Sequence, residues 1–419
     1  MSKLIINGPS RLNGKVRISG AKNAALAIIS AALLGEGETI LENVPPIGDV
    51  VILTKILAAL GVEVKWLEKE TLSLKVPDDL DHEATYSQVK SLRASNLLLG
   101  ALLARKRKAK VALPGGCQIG SRPMDLHIKG LNQLGCELHI EHGFIQGSAD
   151  QMHGARIYLD FPSVGATENI VIAATRAEGQ TILENAAKEP EIVDMANFLN
   201  AMGAKVRGAG TDIIRVDGVK QLRGTRYSII PDRIEAGTFM VGAAMTRGKV
   251  LVENVILTHL KPMIAKLKEV GSYVEERDNE VLVVGPKTLQ SSDVKTFPYP
   301  GFPTDMQSQM MALLTLAQGT SIITENIFEN RMQLAGELKR MGAKVTLESR
   351  MAVIEGIEKL MGASVKASDL RAGAALALAA VAADGKSEIN NLEIIDRGYF
   401  NLEGKLCALG ADVVRVSES

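Results

Sequence analysis

Gly179-Gln180-Thr181-Ile182-Leu183-Glu184-Asn185 is one occurrence of a pattern that returns along the chain. Each time, an apolar helix-like run is followed by Gly-x-(Thr/Lys)-apolar-apolar-x-Asn, then by a second helix ending in glycine, then by short strands. The Glu-Asn signature recurs at Leu41-Glu42-Asn43, Val252-Glu253-Asn254 and Thr324-Glu325-Asn326, with a degenerate Asn390-Asn391. The closing glycines are Gly61, Gly135, Gly203, Gly271, Gly342 and Gly410, spaced by roughly 70 residues, a period that marks a repeated supersecondary unit. Six units of the form β-α-β-α-β-β are predicted.

The two helices of a unit differ. The first (24–34, 97–104, 170–177, 237–245, 310–317 and 373–383) is apolar almost all round, which marks a buried helix. The second, as in Pro190–Met202 or Asn330–Met341, mixes charged and apolar residues at helical spacing, so one face is expected in solvent. A helix buried on every side beside strands needs its sheets outside it. That reverses the usual barrel, in which helices clothe the strands.

At 419 residues the chain exceeds one ordinary core, and two domains are expected. Lys+Arg and Asp+Glu balance at 48 each, which argues against a general polyanion-binding surface; any cationic site must be local. The basic run Arg105-Lys106-Arg107-Lys108 reads as a solvated helix end. Three cysteines (Cys117, Cys136, Cys407) point to a reducing compartment. With no signal-peptide pattern and no apolar run long enough for a bilayer, a cytoplasmic protein without membrane contact is expected.

One unit departs from the rest. The second, from Gly61 to Gly135, is the longest, and its excess falls in Leu113-Pro114-Gly115-Gly116-Cys117-Gln118-Ile119-Gly120-Ser121-Arg122-Pro123-Met124-Asp125-Leu126. Glycines let such a loop approach a ligand closely, and a guanidinium favours the thiolate of a neighbouring cysteine. The starts of the buried helices carry a second signal. Ser163, Asp305 and Asp369 read as ordinary N-caps. Lys22, Arg93, Arg233 and Arg371 do not, because a cation there opposes the helix dipole and needs a bound anion or a paired carboxylate. Together they suggest a site for a small polyanionic ligand.

Ser19-Gly20-Ala21-Lys22-Asn23-Ala24, Leu92-Arg93-Ala94-Ser95, Pro114-Gly115-Gly116-Cys117, Ser121-Arg122-Pro123-Met124-Asp125-Leu126-His127 and Ser163-Val164-Gly165-Ala166-Thr167 carry a family resemblance. Pro303-Thr304-Asp305-Met306-Gln307, Ile327-Phe328-Glu329-Asn330-Arg331, Asp369-Leu370-Arg371-Ala372 and Ile395-Asp396-Arg397-Gly398-Tyr399 extend it nearly to the last residue. The chain resembles the enolpyruvyl transferases, and among them the branch acting on UDP-N-acetylglucosamine. The resemblance implies a two-domain inside-out α/β barrel with three units per domain: 22–229 as the domain with the cysteine loop, 1–21 and 230–419 as the other. Ligands are then expected between the domains, which close over them.

The implied reaction moves the enolpyruvyl group of phosphoenolpyruvate to the 3′-hydroxyl of UDP-N-acetylglucosamine by addition and elimination of phosphate, the first committed step of peptidoglycan synthesis. By resemblance Cys117 is the proton donor, open to covalent attachment by phosphoenolpyruvate or fosfomycin, and Asp305 is the base. Lys22, Asn23, Arg122 and Arg397 hold phosphoenolpyruvate. Arg93, Ser163, Val164 and Gly165 resemble the diphosphate contacts; Arg122, Pro123, Met124, Asp125 and Leu126 the uracil site; the Ile327 backbone a further sugar-nucleotide contact. Arg331, Asp369 and Arg371 form a supporting ionic network. Some members carry a lysine just before Ser-Val-Gly where this chain has Phe161-Pro162, which suggests a different branch of the family with the same reaction.

Cys136 and Cys407 are read as structural, and His127 as a brace for the cysteine loop. The six histidines show no metal-ligand spacing, and no metal or cofactor is expected. Three rivals remain: the same chemistry on shikimate 3-phosphate, disfavoured by the thiol loop; a non-catalytic sugar-nucleotide sensor; and a nucleic-acid role, disfavoured by zero net charge and 4% aromatics.

Overall fold

The computed structural model describes residues 2–84, 96–113 and 124–417. Arg93, Cys117, Arg122 and Pro123 lie outside them. The described residues divide into two compact units, one of 20–230 and one of 2–19 with 231–417.

Helices come in pairs, one pair per repeat: α1 (Lys22–Ala31) with α2 (Gly48–Ala59), α3 (Leu97–Lys106) with α4 (Asp125–Gln133), and α5 (Val164–Ala174) with α6 (Pro190–Ala201). Then come α7 (Arg233–Met245) with α8 (Leu257–Glu269), α9 (Gln307–Leu314) with α10 (Leu334–Arg340), and α11 (Leu370–Ala382), a short α12 (Leu392–Ile395) and α13 (Leu402–Ala408). The first helix of each pair is buried almost throughout. In α7 every residue from Ile234 to Met245 is buried, and in α11 every residue from Arg371 to Val381. In the second unit α7, α9 and α11 pack on one another; in the first, α3 packs on α5 and α1.

The sheets form the outer layer, six of four strands each among the described residues, with one further two-stranded pairing. In the third repeat the order across the sheet is Arg156–Tyr158, Gln180–Glu184, Ile213–Asp217, Lys205–Arg207. The first two strands are parallel, with Ile157 opposite Leu183, and the rest are antiparallel. Alternate residues face the core: Thr181 and Leu183 are buried while Gln180 is exposed. The other sheets repeat this order, but not always from consecutive chain. Ser2–Gly8 pairs with Gly385–Asn390 and Asp412–Ser417, and Asn13–Arg17 pairs with Lys249–Glu253. The N-terminal strands therefore complete sheets of the second unit, and Arg226–Ser228 completes the sheet of Glu38–Glu42 in the first.

Both repeat markers have a physical cause. The six closing glycines all adopt φ between 90° and 105°, the left-handed region that a side chain disfavours. They end the outer helices with bonds such as Gly203 N–H to the Asn200 carbonyl (3.0 Å) and Ala204 N–H to Leu199 (2.9 Å). The signature asparagines 43, 185, 254 and 391 are also left-handed, with φ of 54–64°. Their side-chain amides donate to Ile229, Leu159, Ile18 and Ala367, each carbonyl just past the parallel edge strand of the same sheet. Asn326 donates likewise to Thr296. The second repeat, where the sequence reads Leu113-Pro114, has no such asparagine.

Helix α6 has the one exposed face expected of it, at Asn197, Asn200 and Ala201, but its acidic residues are not on that face: Glu191 and Asp194 are buried, and Tyr227 and the Ile230 N–H satisfy Asp194. Two local expectations differ. Helix α10 begins at Leu334, and 330–333 is a turn carrying Arg331, which is committed to an ion pair. Arg105 is not solvated; its side chain is 9% exposed, facing Asp78 and the Leu34 carbonyl.

Candidate active site

In the second unit the sequence-expected residues Asp305, Arg331 and Arg371 come together. Asp305 lies in a single 3-10 turn, Thr304–Met306, capped by Pro303 without a side-chain bond, so its expected role as an N-cap is not what the structure shows. Its carboxylate instead takes Arg331 Nη2 on Oδ1 at 2.8 Å, and Arg371 Nη2 and Nε on Oδ2 at 2.9 and 3.2 Å. Both guanidiniums are buried, at 3% and 2% exposure, whereas Asp305 keeps 25%. Two fixed forks thus clamp one carboxylate that still reaches the surface.

Asp369 stands outside that clamp. It caps α11, accepting the N–H groups of Arg371 (2.9 Å) and Ala372 (3.1 Å). Its negative charge at the helix start offsets the dipole that would oppose Arg371 in the first turn. Burial acts against the Arg371 charge, yet Asp305, with Tyr399 and Asp232, holds its pKa above the usual arginine range. The guanidinium lies 5.4 Å from the Tyr399 ring centre, and Arg331 lies 5.5 Å from that of Phe328. Nε of Arg331 and Nη1 of Arg371 have no hydrogen-bond partner among the described residues.

Sequence reasoning missed what holds the clamp. Thr304 Oγ1 accepts from Arg331 (3.0 Å) and donates to Glu325 (2.9 Å). Glu325, fully buried, also accepts from the Thr296 hydroxyl (2.8 Å) and the N–H groups of Ile327 (2.8 Å) and Phe328 (3.1 Å). The signature glutamates 42, 184 and 253 instead face outward, paired with Arg226, Arg156 and Lys15. The signal was present in the spacing: one extra residue separates Gly319 from Asn326. In a strand, one residue more turns a side chain to the other face. Behind the clamp, Tyr399 OH shares hydrogen bonds with Thr238 (2.9 Å) and Gln309 (3.1 Å). Arg397 is half-buried two residues before Tyr399.

In the first unit Lys22 opens α1 with its ammonium 3.0 Å from Asp49 Oδ2, the paired carboxylate that its place at a helix start calls for. Asn23 follows, half-buried. Met124 is buried ahead of α4, and its sulfur accepts from Asn96 Nδ2 at 3.3 Å; Asp125 is exposed and Leu126 half-buried in the first turn. Ser163 caps α5 through a long bond from Ala166 N–H (3.4 Å), with Val164 and Gly165 half-buried beside it. His127 does not bond the described part of its own loop; it bonds Asn169 of α5 at 2.8 Å. Burial pushes its pKa down to about 4, with Asp125 pulling the other way. Cys136 is buried and its thiol is pushed up to about 11 by that burial, while Cys407 is exposed. No group of metal-binding side chains occurs among the described residues, and no described helix is long and apolar enough to cross a membrane.

Residues 6–406 match the family described as EPSP synthase (3-phosphoshikimate 1-carboxyvinyltransferase), and the chain belongs to that family of enolpyruvyl transferases. It is 55% identical over 420 residues to UDP-N-acetylglucosamine 1-carboxyvinyltransferase 2 of Carboxydothermus hydrogenoformans, covering 100% of both chains. It is 53% identical over 414 residues to UDP-N-acetylglucosamine 1-carboxyvinyltransferase 1 of Caldanaerobacter subterraneus subsp. tengcongensis, covering 99% of each. The fold is shared with the enolpyruvyl transferase NikO from Streptomyces tendae (TM-score 0.91, 25% identity, 100% of this chain and 99% of that one). EPSP synthase from Acinetobacter baumannii has the same fold at TM-score 0.78 and 21% identity, with both chains fully covered. The inside-out α/β barrel expected from the sequence is this fold.

Proposed function

We propose that the chain transfers the enolpyruvyl group of phosphoenolpyruvate to the 3′-hydroxyl of UDP-N-acetylglucosamine and releases phosphate, the first committed step of peptidoglycan synthesis. The observation that carries this reading is end-to-end identity of 55% to a protein named for that activity. The chemistry needs a proton delivered to the methylene carbon and a proton removed from the sugar hydroxyl as its oxygen bonds the adjacent carbon; the tetrahedral adduct then loses phosphate. Cys117 delivers the first proton. Asp305 takes the second, and its clamp supports this: two arginines hold the carboxylate in one orientation while part of it stays accessible.

Lys22, Arg122 and Arg397, with Asn23, bind the phosphate and carboxylate of phosphoenolpyruvate. Arg93 and Ser163, Val164 and Gly165 take the diphosphate, and residues 122–126 take the uracil. Since the Ile327 N–H is donated to Glu325, a backbone contact from Ile327 to the sugar nucleotide falls to its carbonyl. The same thiol that gives the proton forms adducts with phosphoenolpyruvate or fosfomycin. The scarcity of cysteines fits a cytoplasmic enzyme. Mass spectrometry of a reaction mixture tests the proposal: it predicts UDP-N-acetylglucosamine gaining one enolpyruvyl group, with inorganic phosphate in equal amount. Unchanged sugar nucleotide at saturating phosphoenolpyruvate contradicts it.

A further inference from the structure

Asn169 is fully buried in the second turn of α5, and all of its amide hydrogen bonds point to one arrangement. Its Oδ1 accepts the Gly100 N–H at 2.8 Å, and its Nδ2 donates to the Asn96 carbonyl at 2.8 Å. These are the N–H and the carbonyl that one helical turn at the start of α3 would join. A backbone N–H can only donate and a carbonyl can only accept, so the orientation of the Asn169 amide is fixed from both sides. Such close approach needs the glycine: a Cβ on Gly100 would stand 2.4 Å from the Asn169 carbonyl oxygen. The second hydrogen on Nδ2 meets His127 Nδ1 at 2.8 Å. Nδ1 must therefore accept, and the proton of the neutral ring stands on Nε2.

The opposite edge of the ring lies against the first turn of α5. A Cβ at Gly165 would be 3.1 Å from His127 Cε1 and 3.4 Å from Nε2, closer than a side chain there would comfortably allow. His127 is 6% exposed, and its Nε2 has no hydrogen-bond partner among the described residues. In the reading above, the diphosphate lies at Ser163, Val164 and Gly165, where this chain has Phe161-Pro162 in place of a lysine. We propose that Asn169 is a positioning residue that holds His127 in the Nε2–H form, so that the ring donates a neutral hydrogen bond to a diphosphate oxygen of the sugar nucleotide. The second half rests on the proposed function; the first does not.

Imidazole 15N NMR on the unliganded full chain tests the first half. His127 should show an unprotonated Nδ1 and a protonated Nε2. In Asn169→Asp, where a carboxylate replaces the donor, Nδ1 should gain a proton at neutral pH. Protonated Nδ1 in the wild type, or an identical ring spectrum in Asn169→Asp, overturns the assignment. For the second half, a hydrogen bond to a charged acceptor corresponds to about 10- to 100-fold in affinity. His127→Phe should raise the KM for UDP-N-acetylglucosamine by about that factor, with a smaller fall in kcat. His127→Gln, whose amide nitrogen stands near the place of Nε2, should recover most of the loss. Equal KM values in the wild type and His127→Phe overturn the diphosphate contact. So does a Gln variant as impaired as Phe, which also serves if Asn169→Asp does not fold. A wild type that ignores UDP-N-acetylglucosamine altogether removes the functional reading and leaves the tautomer to the NMR result.

Discussion

Arg371 places Nη2 2.9 Å and Nε 3.2 Å from one carboxylate oxygen of Asp305, although 66 residues separate them in sequence. The carboxylate is therefore the counter-charge of two buried arginines and not a helix cap, and this changes what its removal should do.

A capping aspartate exchanges for asparagine at little cost. Asp305→Asn instead leaves Arg331 and Arg371 buried without their anion, and losing one partner of a buried pair costs about 3 kcal/mol or more. The variant should unfold at lower denaturant and turn over at least about a hundredfold more slowly, because the amide cannot take the hydroxyl proton. Urea unfolding and steady-state rates check the two effects separately. Wild-type stability would discount the clamp; wild-type turnover would move the base elsewhere.

Asp194 gives a pH prediction. Burial raises its pKa from 3.8 to about 6, against the lowering effect of hydrogen bonds from Tyr227 and the Ile230 N–H. A carboxyl with a raised native pKa stabilises the fold while protonated, and that contribution fades as pH rises from about 4 through about 6. Between pH 4 and 7 the wild type should lose, relative to Asp194→Asn, on the order of 2 kcal/mol of unfolding free energy. Urea midpoints at those two pH values measure the difference. Parallel pH profiles would mean that Asp194 ionises in the native state much as it does unfolded.

Gly203→Ala isolates backbone strain. The glycine has φ of 105°, and a Cβ there would meet nothing within 4 Å. Any loss of stability comes from the left-handed conformation alone, about 1–2 kcal/mol. A thermal or urea midpoint unchanged from wild type would show that α6 can end without it.

Thiol chemistry should separate the three cysteines. An epoxide mimic of phosphoenolpyruvate such as fosfomycin should label Cys117 alone, faster with UDP-N-acetylglucosamine bound. A general alkylating reagent should also reach exposed Cys407 but not Cys136, whose buried thiol resists ionisation. Peptide mass mapping reads both. Fosfomycin on Cys407 or Cys136 with Cys117 free contradicts the assignment.

The repeats were legible because their markers are backbone requirements: a left-handed glycine after each outer helix, and, in every repeat but the second, an asparagine whose amide ties the sheet to its edge strand. The six inner helices were legible from being apolar all round. Long-range pairing was harder to read. The sequence shows carboxylates near helix starts, but capping by Asp369 and clamping by Asp305 differ only in which arginines arrive from elsewhere in the chain. Glu325 looked like the other signature glutamates, and its single extra residue of spacing turned it inward. Helix α6 has the exposed face its pattern suggested, but its acidic residues are not on it: Tyr227, 33 residues on from Asp194, covers that carboxylate. Asn169 stands between the 163–167 segment and the apolar run that starts at Ile170, belonging to neither, and its role appears only when α3, α4 and α5 are brought together.

Phosphate release from phosphoenolpyruvate, followed with each acceptor in turn, tests the central claim most directly. The account predicts rapid release with UDP-N-acetylglucosamine, near-background release with shikimate 3-phosphate, and loss of the former in Asp305→Asn. Release driven by shikimate 3-phosphate, with UDP-N-acetylglucosamine inert, would contradict it.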